Sequence, residues 1–155
     1  MQKTQDTNWR VVLSAYAPAF LWLGVIFFLS SGSGSSAETS KIIGPLIAFF
    51  FPSADEATVQ IVHAAVRKTA HVTEYAILAA LLCRAFLNSS SRLLRNCWPV
   101  CSIILVAIAA SIDEINQSYN VLRTASPYDT LLDISGGLLG ITLIWIVRKR
   151  RKVKS

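Results

Sequence analysis

Apolar positions along the chain gather into four long runs. Val11 to Ser30, Ala70 to Leu87, Trp98 to about Asn116 and Thr130 to Val147 each supply roughly twenty residues, enough at about 1.5 Å per residue to cross a hydrocarbon core of about 30 Å. The breaks between them, SSGSGSSAETS, NSSSRLLRN and SYNVLRTASPY, have the chemistry of turns and linkers. No internal repeat is present. The pattern predicts an all-α fold, a polytopic integral membrane helical bundle with about four transmembrane helices, formed by residues 1–155 as one domain.

Shorter signals refine this outline. Ile42 to Phe51 is too short to cross and contains Gly44-Pro45, so it is expected as an outer interfacial or re-entrant segment. After Pro52, Ser53 and Glu56 have the spacing of a capping box, predicting a helix from Ala54 that continues into the second run. Ser126 and Asp129 repeat that spacing before the fourth run, with Pro127 at the first helical position. The first run has a basic flank and small residues at Ser35-Ser36-Ala37, as a cleaved signal peptide would. Its apolar core of about nineteen residues is longer than the 7 to 15 typical of such signals, which favours a retained span.

Composition agrees with a membrane class. Hydrophobic residues make up 53% of the 155 residues and charged ones 15%, with a mean hydropathy of +0.48. The net charge of +6 would suit nucleic acid if the basic residues were spread over a surface. Instead Lys3, Arg10, Arg84, Arg92, Arg95 and the RKRRKVK tail fall on one side of an even number of spans. Only Lys41, Arg67, Lys68 and Arg123 fall opposite, and all the acids except Asp6 join them there. The positive-inside rule then predicts cytoplasmic N and C termini. The tail at 148–155 reads as a topology signal and lipid anchor, and no nucleic-acid partner is expected.

Against this background a few polar residues stand out. Arg67, His71, Glu74 and Tyr75 share one helical stripe near the outer end of the second run. Asp113 and Gln117 share a face at the outer end of the third, with Glu114 beside them. Asp129 and Asp133 are one turn apart at the start of the fourth, on the face that continues into Gly136 and Gly140. A charge near the middle of a spanning helix costs about 2.5 to 3.5 kcal/mol, so such residues face the bundle or a wet cavity. Plainer roles compete for several of them: Asp129 as a helix cap, Arg67 and Lys68 as headgroup-level cations, His71 as an interhelical hydrogen bonder, and the glycines as close-packing positions. Cys83, Cys97 and Cys101 lack the partners of a zinc site and read as packing residues.

RKTAHVTEY, followed after about forty residues by DEINQSYNVLRTASPYDTLLDISGGLLG, resembles the VanZ-like family of small bacterial membrane proteins. That family pairs a [DR]K-x-x-H-x-x-x-Y segment with D-E-x-x-Q, an Arg, and a D-x-x-x-D followed by glycines. The resemblance spans roughly Arg67 to Gly140. Val72, directly after His71, replaces the Phe of many relatives. Carried over by position, the family pattern picks out Arg67, Lys68, His71, Glu74, Tyr75, Asp113, Glu114, Gln117, Arg123, Asp129 and Asp133. The family is named for low-level resistance to teicoplanin, which implies a bacterial cytoplasmic-membrane protein concerned with the cell envelope.

Three classes of function follow. In an enzyme at the outer leaflet, His71, Glu74, Asp113, Glu114 and Asp133 would supply the chemistry. Arg67, Lys68, Tyr75, Gln117, Arg123 and Asp129 would bind a lipid-linked precursor or phospholipid headgroup, with a divalent metal as a possible cofactor. In a binding protein the same cluster would hold a lipid or drug unchanged. In a structural protein it would be an interhelical network. No phosphatase, H-E-x-x-H or CDP-alcohol transferase signature is present, and polarity confined to one leaflet argues against transport.

Overall fold

The computed structural model describes residues 9–31, 44–47, 49–53, 55–118 and 127–153. They form α1 (Trp9–Ser30), α2 (Glu56–Leu87), α3 (Arg92–Asn96), α4 (Trp98–Ser118) and α5 (Pro127–Val153), with no strand among them. α1, α2, α4 and α5 are each long and apolar enough to cross a membrane. Their outward faces carry large apolar side chains such as Phe20, Leu21, Ile108, Ile112, Leu139 and Leu143. A continuous apolar surface of this kind suits lipid rather than water. Hydroxyls on these faces are satisfied within their own helices: Thr69, Thr73, Ser111 and Thr142 each donate to the carbonyl four residues earlier.

Helix boundaries follow local chemistry, with two departures from expectation. The cap of α2 is Asp55 rather than Ser53. Its extended backbone precedes the first helical residue, Glu56, and its carboxylate accepts the Thr58 amide at 2.9 Å. Ser53 lies in the preceding turn, too early to reach that amide. Hydrogen bonding to Thr58 holds the Asp55 carboxyl below the usual carboxylate range. The NSSSRLLRN linker contains the five-residue α3, and Arg95 closes the turn before it by donating to the Ser89 and Ser90 carbonyls at 2.7 and 3.0 Å. α5 begins at Pro127, as predicted, while Ser126 of the proposed capping box lies outside the described residues. Residues 44–47 and 49–50 are helical and Phe49, Phe50 and Phe51 are exposed, a stretch too short to cross a bilayer.

α2 is the hub of the bundle. Its 32 residues extend about 48 Å, well beyond a hydrocarbon core of about 30 Å. It touches α1, α3, α4 and α5 and packs most extensively on α5, whereas α1 meets α2 and α4 but not α5 among the described residues. Tyr75, Leu78, Ala79 and Cys83 of α2 are buried against Ile26 of α1, Val106 and Ala110 of α4, and Ile141 of α5. Cys83 donates to Ser102 at 3.4 Å within this core, and all three cysteines are free thiols.

Three glycines set the helix spacing. A Cβ on Gly136 would collide with the Val72 carbonyl oxygen, and one on Gly140 with that of Ala76. At Gly137 it would come within 2.6 Å of Val106 Cγ1 on α4. Backbone atoms cannot swing aside as a side chain can, so α2 and α5 achieve this contact only with hydrogen at both glycines, the small-xxx-small device of membrane helices.

Polarity is sharply divided between the ends of the bundle. Arg10, Arg84, Arg92, Arg95 and the helical run Arg148 to Lys152 mark one end, where no described residue is acidic. Lys149 sits 5.2 Å from the Trp145 ring centroid, a cation on an aromatic face of the kind found at membrane interfaces. The described acids, from Asp55 to Asp133, lie in the opposite half of the bundle.

Gly140→Ala should lower bundle stability by about 1 to 3 kcal/mol, the range for forced overpacking. Gly24→Ala should leave it unchanged or slightly raised, since nothing lies within 4 Å of that position. Unfolding midpoints of the purified variants in detergent provide the comparison, and equal losses at the two sites would contradict the close-packing account.

Candidate functional site

The α2–α5 contact determines which polar groups meet. Asp133 is one turn before Gly137 on α5, and His71 directly precedes Val72, whose carbonyl faces Gly136. The two side chains consequently face each other, His71 Nδ1 lying 3.5 Å from Asp133 Oδ1. The His71 side chain is 17% exposed and that of Asp133 4%. A carboxylate this deep requires a partner, and the His71 imidazole is the group it meets at 3.5 Å.

α4 contributes Asp113, which is wholly buried. Its Oδ2 accepts the Ser30 hydroxyl at 2.7 Å and the Gln117 amide at 2.8 Å, while Gln117 also donates to Ser30 Oγ at 3.2 Å. This three-way bond ties the end of α1 to the end of α4. Trp22 adds a second tie from α1 by donating its indole N–H to the Glu74 carbonyl at 2.9 Å. Glu74 itself points its backbone into this contact, and its side chain does not line the cleft described next.

Arg67, Lys68, His71, Glu114, Gln117, Asp129, Leu132 and Asp133 line a narrow cleft at this end of the bundle. Its enclosed space is about 10 Å³, room for one water molecule or one ion. Arg67 is half-buried and Lys68 exposed, and neither forms an ion pair among the described residues. Of the residues expected at a site, His71, Asp133, Arg67, Lys68, Glu114, Gln117 and Asp129 therefore meet in one place. Asp113 lies behind them, within 4.8 Å of His71 and Asp133 measured between donor atoms. Tyr75 is fully buried and does not line the cleft. Arg123 lies outside the described residues.

Three polar atoms in this region are buried without a hydrogen-bond partner: Asp113 Oδ1, Asp133 Oδ1 and the Tyr75 hydroxyl. Buried orphans are uncommon, and here three fall on residues of α2, α4 and α5. Sequence reasoning missed Ser30 and Trp22, although Ser30 ends the first apolar run at the same level as Asp113. Nothing in the pattern distinguishes Trp22 from a lipid-facing aromatic.

The family model described as VanZ/LLP1 matches residues 15–148, a stretch that takes in the cleft and most of the four long helices. No curated protein and no solved structure matches the sequence.

His71→Ala and Asp133→Asn should each destabilise the protein, and the double variant should lose less than their sum, with a coupling of roughly 0.5 to 3 kcal/mol. Strict additivity in a double-mutant cycle of unfolding free energies would mean that the two groups do not interact.

Proposed function

The chain belongs to the VanZ/LLP1 family, and on that premise we propose that this multi-pass membrane protein binds an anionic head group of a lipid-linked or other cell-envelope component at the extracytoplasmic face. The observation that carries this reading is the pair of cations Arg67 and Lys68 at the mouth of the cleft, with no ion-pair partner among the described residues. Cations that share a cleft with acids yet pair with none of them have donors to spare for phosphate or carboxylate, for which guanidinium offers a paired set. A cleft of about 10 Å³ is too small to admit a head group, so the anion sits over the mouth and reaches inward with one oxygen at most.

An apolar groove supports a lipid-bearing component. Tyr16, Phe20, Leu23 and Phe27 of α1 face Leu105 and Ile112 of α4 across about 290 Å³. Its Phe27 and Ile112 end adjoins Ser30 and Asp113, so an acyl or prenyl chain in the groove would carry its head group to the polar end of the bundle. The basic opposite end supports an orientation in which, by the positive-inside rule, that end and both termini face the cytoplasm of a bacterial cell and the cleft faces outward. Binding of envelope components there is a route by which such a protein would give low-level glycopeptide resistance.

Native mass spectrometry of detergent-purified protein with added polyprenyl phosphate or phosphatidylglycerol tests the reading. Wild type should retain these lipids, and an Arg67→Gln, Lys68→Gln variant should retain them roughly thirtyfold less, in line with about 1 kcal/mol for each of the two basic residues near an anionic lipid. Equal retention by both proteins would remove the head-group assignment, and a new lipid mass on incubation would add turnover to binding.

A further inference from the structure

We propose that His71, Asp113 and Asp133 form a divalent-cation site at the floor of the cleft, suited to a transition-metal ion such as Zn²⁺ or Mn²⁺. One donor atom from each residue lies within 4.8 Å of the others, and the three come from three different helices, α2, α4 and α5. The site is distinct from the cations at the mouth and does not depend on the head-group reading.

Geometry separates this arrangement from an ordinary ion pair. A charge-assisted histidine–carboxylate hydrogen bond closes to about 2.7 to 2.9 Å. The observed separation of 3.5 Å is too long for that, but matches the roughly 3.4 Å between two ligands of a tetrahedral ion held at about 2.1 Å. The Asp113 donor atom lies within 4.8 Å of the other two, so it completes the set by closing at most about 1.4 Å. Ser30 and Gln117 hold its Oδ2 and fix the carboxylate plane, leaving Oδ1 without a partner. Neighbours that orient a metal-binding carboxylate behave in this way.

Burial and charge point the same way. Asp113 is 0% exposed and Asp133 3%, and the unpartnered oxygen of each, with the unpartnered Tyr75 hydroxyl, lies in this one region. Asp113 and Asp133 are buried carboxylates beside one imidazole, a donor set that complements a dication. The cleft that His71 and Asp133 line, in front of Asp113, encloses only about 10 Å³, on the scale of one ion or water. One nitrogen and two oxygens favour Zn²⁺ or Mn²⁺ over the all-oxygen preferences of Ca²⁺ and Mg²⁺. Coordination positions facing the cleft would be left for water or for one oxygen of an anion.

Full-length protein, stripped with chelator in detergent, is titrated with Zn²⁺ and Mn²⁺ and its bound metal measured after buffer exchange. Wild type should retain about one ion per chain with a raised unfolding midpoint, and Asp133→Asn and Asp113→Asn should lose both effects. An Arg67→Gln, Lys68→Gln variant should keep the ion, which separates failure of this site from failure of head-group binding. Co²⁺ added to stripped wild type gives a second readout that needs no variant, namely the intense visible bands of a low-symmetry protein site. Folded wild type that takes up no ion and shows only hydrated Co²⁺, or an Asp133→Asn protein that retains the ion in full, would overturn the proposal.

Discussion

The close approach of α2 and α5 at Gly136 and Gly140 is the constraint on which the rest of the structure depends. Those two positions place the backbone of α5 directly on the Val72 and Ala76 carbonyls. In a bilayer no hydrophobic effect pulls helices together, so contact of this closeness rests on packing between small residues and on polar pairs near them. His71 and Asp133 are those polar pairs, immediately beside the glycine contact. Packing and polar chemistry are thus one feature: the glycines decide which turn of α5 faces His71, and Asp133 occupies it.

The second organising principle is the separation of charge along the bundle. Basic side chains collect at one end, where an arginine closes the α2–α3 turn and a lysine rests on Trp145. Acids, His71, Arg67 and Lys68 occupy the other half. Polar groups within a spanning helix are costly and persist where they meet partners. Here part of that cost is met internally, by the Ser30–Asp113–Gln117 contact that brings in α1. The rest is left in the orphaned oxygens of Asp113 and Asp133 and the Tyr75 hydroxyl. Of the three residues that carry these atoms, Asp133 lines the cleft, while Asp113 and Tyr75 lie behind it.

Much of this was legible in the sequence. Length and apolar content are enough to mark a spanning helix, so all four were found, and a period of 3.6 residues placed Arg67 and His71 on one stripe. The small-xxx-small spacing from Gly136 to Gly140 correctly indicated close packing. What escaped notice depends on tertiary contact. Ser30 resembles the start of a polar linker until α4 is folded beside it, and Trp22 resembles a lipid-facing ring until its N–H meets the Glu74 carbonyl. Tyr75 shares the His71 stripe but is rotated far enough to enter the core. The cap of α2 was misplaced by two residues because two oxygen-bearing side chains, Ser53 and Asp55, precede the helix and only backbone geometry chooses between them.

If the glycine contact builds the cleft, disturbing it must affect ligands that the glycines never touch. The most direct measurement is native mass spectrometry of Gly140→Ala, under conditions where the variant remains folded, with an anionic lipid present. The account predicts weakened lipid retention despite unaltered Arg67 and Lys68, because a widened α2–α5 spacing separates the cleft walls. Retention equal to wild type in a folded Gly140→Ala protein would contradict it.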